Sequence, residues 1–178
     1  MIILRPQDVV IVLGIVACGG GPFASFAYLS AQTGVSPGEV HKSLRRASAA
    51  GLYHEETRRV SREDVLQFLS HGVRYVFPAV RGPLARGVPT GVAAPPLMAL
   101  FDGDALPPDL TPVWPSPTGR RRGYTIDPLY RTAPAIAERN PALYELLALT
   151  DAIREGRARE RSEANRALTS RLVGFPER

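Results

Sequence analysis

Ten of the chain's seventeen prolines fall between Pro78 and Pro117. Proline fixes φ, lacks an N–H and turns the preceding residue away from the α region, so so dense a stretch excludes long helices and uninterrupted central strands. Yet it also holds Leu84, Leu97, Leu100, Phe101 and Trp114, with Tyr75 and Phe77 just before it, which is too much apolar surface for a solvated linker. An irregular segment folded against a core supplied by its flanks is expected. Inside it "VWPSPTGRRRGYTI" reads as one short hairpin, because turn residues separate two β-prone runs. Arg120, Arg121 and Arg122 would then sit at its tip, a cluster that suits an anion such as phosphate or simply a solvated loop.

This segment divides the chain into residues 1–75, 76–135 and 136–178. The net charge of +5 is spread over all three: eight basic against six acidic residues, six against four, and eight against seven. No part is a polybasic tail, so any attraction to nucleic acid must come from clustering on one face.

The first part is punctuated by turn residues. "RPQDVVIVLGIVAC" is bracketed by Pro6 and "GGG" and reads as a first, mostly buried helix. Its apolar run of ten residues follows Asp8 directly and is too short to span a membrane. "PFASFAYLSAQTG" gives a second helix ending at Gly34, with Phe23, Phe26 and Ala27 able to face inward. In "SPGEVHKSLRRASAAG", Ser36 stands at the N-cap, where its side chain would accept a backbone hydrogen bond, and Pro37 at the first helical position. Val40, Leu44 and Ala47 share one face of this third helix, and Lys42, Arg45 and Arg46, flanked by Gly38 and His41, fall on the other. "LYHEETRRVS" is a short β passage turning around Glu55 to Arg58, and Ser61 and Asp64 have capping-box spacing at the start of a fourth helix.

The stretch "YLSAQTGVSPGEVHKSLRRASAAGLYHEE" resembles the DNA-binding core of winged-helix bacterial transcriptional regulators of the MarR and GntR types. The resemblance rests on the small Ala31 in the second helix, Gly34 in the turn, Val35 and Val40 between the helices, Leu44 at the core, and "AAGL" leading into a first wing strand. It implies a mainly α (α+β) fold: a winged helix-turn-helix, then the Pro-rich middle with its hairpin, then C-terminal helices. In that geometry the third helix is held by the second so that its outer face can lie in a major groove about 12 Å wide. Ser36, His41, Lys42, Arg45 and Arg46 would then approach double-stranded DNA, and Arg58 and Arg59 of the wing would touch phosphate or the minor groove.

At the far end, Asn140 and Pro141 open "NPALYELLALTDAIREG", whose Leu143, Leu146, Leu147, Thr150 and Ile153 form an apolar stripe, and "RERSEANRALTSRL" follows. Such paired helices either join two copies or complete a core; a homodimer is expected here.

Groups that could carry catalysis do not converge. Cys18 is the only cysteine, His41, His54 and His71 lack metal-ligand spacing, and "ACGGGP" lacks the Lys and Ser/Thr of a phosphate-binding loop. His54 and His71 are expected to be partly buried, and Asp102 and Asp104 in "DGD" to form a turn. No catalytic residue, metal or cofactor is expected, and the lone cysteine and lack of a targeting signal point to the cytoplasm.

The reading is a sequence-specific transcriptional regulator, homodimeric and not an enzyme. Its rivals are a winged-helix adaptor or antitoxin-like protein that makes a protein contact through the Pro-rich middle, and a small-molecule-responsive regulator with an apolar pocket near Trp114.

Overall fold

Helix α1 (Pro6–Ala17) is apolar on every side, and a helix of that kind belongs in the middle of a fold. In the computed structural model, which describes residues 3–173, Val9 to Val16 are all buried. Around α1 lie α2 (Phe26–Thr33), α3 (Pro37–Ala49) and the antiparallel hairpin of β1 (Tyr53–His54) and β2 (Arg59–Val60). Then α4 (Arg62–Gln67) runs through a π turn into α5 (Val73–Val76). β3 (Arg81–Pro89), β4 (Pro112–Pro115) and β5 (Arg121–Ile126) follow, and α6 (Ala133–Arg139), α7 (Pro141–Glu155) and α8 (Ala158–Leu172) end the chain. The protein is thus α+β, and its hydrophobic core is one cluster drawn from all three parts of the sequence.

Local signals set the ends of α2 and α7. Gly34 takes φ +70° and donates its N–H to Ser30 O at 2.8 Å, closing α2 in a left-handed turn that a side chain would strain. Asn140 caps α7, its side chain accepting from Leu143 N–H at 3.1 Å. Helix α2 starts later than expected because Ser25, accepting from Tyr28 N–H at 3.0 Å, is its cap. Phe23 therefore lies outside the helix and is buried, whereas Phe26 and Ala27 face outward, contrary to expectation. Ala31, which the resemblance would set against α3, is also exposed; Leu29 and Thr33 make the buried face of α2.

The middle is more regular than its prolines suggest. β3 runs for nine residues, Arg81–Pro89, although it contains Pro83 and ends on Pro89; it survives because the register shifts between Arg81 and Leu84, so that Pro83 sits in an irregularity where no N–H is required. The expected hairpin over 112–126 is not formed. β4 and β5 run parallel, each also pairs antiparallel with β3, and the three close a small barrel. The intervening strand, unseen in the sequence, takes the ladder that a hairpin would have used. Arg121 is drawn to Gly103 O (3.0 Å) and to Asp104, while "DGD" turns at Asp102. Trp114 is buried with its indole N–H donating to Asp151 at 2.6 Å. Asp151 also receives Thr90 at 2.9 Å and Arg154 at 2.6 Å, and Arg154 donates onward to the carbonyls of Phe77 and Asp127. This buried, fully bonded group ties the barrel and the α5–β3 connection to α7.

The leucine stripe of α7 faces inward: Leu143, Leu146, Leu147 and Ile153 are buried where α7 packs on α1 and α8. It completes this chain's own core and offers no surface to a second copy. Arg62 joins the two ends of the fold, donating to Gly19 O at 2.6 Å and to Leu172 O at 2.9 Å. Among the described residues no helix is long and apolar enough to cross a membrane.

Candidate nucleic-acid interface

The inner face of α3 is settled by Val40, Leu44 and Ala47, all buried with Val35 against α1 and α2. That orientation turns His41, Lys42 and Arg45 into solvent. Ser36 is exposed at the N-cap, but its side chain makes no capping bond; its carbonyl receives Val40 N–H at 2.9 Å instead, so the expected cap is not formed.

Arg46 is the clear departure. Its guanidinium reaches back across the core edge and binds Asp8 at 2.7 and 2.8 Å, with Ser43 Oγ as a further acceptor at 3.1 Å. Asp8 is fully buried at the start of α1 and also accepts Arg5 N–H at 2.8 Å. A buried carboxylate needs a counter-charge, and Arg46, with a side chain only 14% exposed, supplies it. It is therefore not a residue of the outer face, as expected, but a strut between α1 and α3. Lys42 bonds Glu39 at 2.8 Å in solvent, and Gln7 donates to the same carboxylate at 2.9 Å. These bonds from Lys42 and Gln7 hold the Glu39 carboxyl below its ordinary value. So exposed a pair is weak, and Lys42 can exchange partners.

The hairpin is fixed more firmly than its polar sequence implies. Arg58 sits at φ +54° in its turn, stacks its guanidinium over the Phe23 ring at 4.4 Å and donates to Phe23 O at 3.1 Å. β2 is tied to the glycine loop through Val60 N–H and Gly20 O at 3.1 Å. Gly21 comes so close to the Arg58 carbonyl that any Cβ there would collide with it. Arg59 stays exposed, as do His54 and His71, both expected to be partly buried.

Between α2, α3 and the hairpin lies a groove of about 390 Å³. Phe26, His41 and Arg45 line it from the helices, Glu55 and Arg58 from the hairpin, and the buried Leu44 and Tyr53 close its base. Burial pushes the Tyr53 phenol up while Arg58 beside it pulls it down. Of the seven expected contact residues the fold thus brings His41, Arg45 and Arg58 to one groove. It leaves Ser36, Lys42 and Arg59 exposed outside its lining and withdraws Arg46. Phe26, Tyr53 and Glu55 were not expected here; recognising Ser25 as the cap of α2 would have turned Phe26 outward. The group of three or more His, Cys, Asp or Glu side chains that a metal ion requires does not occur among the described residues. Compared with protein-family models, with curated proteins and with solved structures, the chain has no match in any of the three.

Proposed function

We propose that the chain is a winged-helix protein that binds double-stranded DNA in a sequence-specific way and regulates transcription, with α3 as the reading helix and the β1–β2 hairpin as the wing. The observation that carries this reading is the division of labour on α3. Its ion pairs are Lys42 with Glu39 and Arg46 with Asp8, and Arg45 lies outside both, exposed beside His41 at a groove bordered by the anchored hairpin. A long guanidinium on the outer face of a firmly seated helix can reach guanine edges. Arg59, exposed on β2, suits a phosphate.

A symmetric pair of half-sites calls for two copies. With the leucine stripe buried, the proposed contact moves to Tyr75, Val76, Val80 and Leu84, large apolar residues exposed within ten positions of one another. The rival reading, a protein-binding adaptor, needs the Pro-rich middle as a contact surface; Leu97 and Trp114 are committed to the core there, but Leu100 and Leu110 are exposed and would serve such a contact.

The test is selection of duplexes from a random pool by the purified protein, followed by sequencing. Enrichment of one motif that Arg45→Ala no longer enriches is the expected result. A pool that stays random, or a motif that the variant still enriches, overturns the assignment of α3.

A further inference from the structure

The groove beside α3 has a property that reading paired DNA does not need. Rings run along and behind it: His41 meets Phe26 edge-on at 5.5 Å, Phe26 lies 5.9 Å from Phe23, and Phe23 lies 6.5 Å from Tyr53. Phe23 and Tyr53 are buried, but Phe26 is 40% exposed, an open aromatic ring in a groove that Arg45 and Arg58 also line. In a duplex the faces of the bases are covered by their neighbours and only their edges reach the grooves. An unpaired base has a free face, and stacking on an aromatic side chain is how proteins hold one.

We propose that this groove holds a single unpaired nucleotide, guanine in preference to other bases. The base lies on Phe26 and its phosphate between Arg58 and Arg45, which then leaves the base edge it would read on a paired duplex. The proposal rests on the reading of α3 and the hairpin as a face for nucleic acid, and adds the chemical class of what enters the groove. A volume of about 390 Å³ is on the scale of one nucleotide. Arg45 comes from α3 and Arg58 from the hairpin, so the two cations approach a phosphate from opposite walls. Arg58 uses only part of its five-donor fork on Phe23 O and keeps the rest for a ligand.

Glu55 on the hairpin wall supplies the base preference. A carboxylate beside a phosphate site is unfavourable unless it accepts hydrogen bonds. Guanine presents its ring N–H and its amino group side by side on the Watson–Crick edge, two donors for two carboxylate oxygens. Cytosine and adenine present one amino group each. Thymine offers a single N–H between two carbonyls, which a carboxylate repels.

The experiment compares three fluorescent probes by anisotropy: a fully paired duplex, the same duplex with one unpaired guanine, and the same with one unpaired thymine. Guanosine monophosphate is titrated separately. The expected result is binding about tenfold tighter to the unpaired guanine than to the paired duplex, with thymine between them. Phe26→Leu should remove most of that advantage, and Glu55→Gln should make guanine and thymine equal. Both positions face solvent, and circular dichroism verifies that the variants fold. Equal affinity for all three duplexes overturns the proposal and leaves the duplex reading standing. Binding of guanosine monophosphate without binding of any duplex supports the nucleotide site and overturns the duplex reading. Binding of none of the probes overturns both.

Discussion

Arg46, on the third helix, and Asp8, fully buried at the start of the first, are locked by hydrogen bonds of 2.7 and 2.8 Å, although 38 positions separate them. The pair seats α3 on α1 and so sets the angle at which Lys42, His41 and Arg45 face outward. Arg46→Ala leaves the Asp8 carboxylate buried without its counter-charge, which costs about 3 kcal/mol. In chemical denaturation the midpoint should fall accordingly, while DNA affinity of the folded variant stays within about twofold. A variant as stable as the parent but weak on DNA would return Arg46 to the contact face.

The two remaining kinds of arginine should differ on DNA. Arg45→Ala is expected to lose about 1–3 kcal/mol on a selected duplex and much less on a scrambled one, the mark of a base contact. Arg59→Ala should weaken both duplexes alike and flatten the salt dependence by about one unit, the mark of a phosphate contact. Anisotropy titrations at two salt concentrations separate the two patterns. Identical behaviour of both variants would contradict the assignment.

The barrel is held to α7 by Asp151, which receives Arg154, Trp114 and Thr90. Asp151→Ala should strand a buried guanidinium and two further donors, at a cost of about 3–5 kcal/mol. Because Trp114 is the chain's one tryptophan, loss of its indole bond should also change the native emission spectrum. An unchanged spectrum in a fully stable variant would show that this group does not join the two parts.

Two tyrosines predict an alkaline limit to stability. Tyr144 donates to Pro89 O at 2.7 Å, and burial pushes its phenol up to about 12 from an ordinary 10.0. Tyr124, bonded to Glu155 at 2.9 Å, is raised as well, first by burial and then by that carboxylate. Both folded-state values exceed the unfolded ones, so this stability is complete below pH 10 and is lost as pH rises toward 12. Denaturation midpoints should fall across that window, and less steeply in Tyr144→Phe. A flat profile in the parent would refute the linkage.

Whatever depends on neighbours a few residues apart could be read from the sequence. The all-apolar period of α1 places it at the centre, Gly34 ends α2, Pro37 opens α3, Asn140 caps α7, and Val40, Leu44 and Ala47 define the inner face of α3. These are consequences of backbone sterics, capping and helical period, and they hold wherever the chain goes. The parts that were misread concern partners distant in sequence. Arg46 looks like one more outward cation until Asp8 arrives from the first helix. "VWPSPTGRRRGYTI" looks like a hairpin until β3, thirty residues upstream, pairs with both its strands. The α7 stripe looks open to a second copy until α1 covers it. Composition and period give the polarity of each surface but not which surface meets which. That choice follows from burying all of them at once, with a bonding partner found for every buried charge.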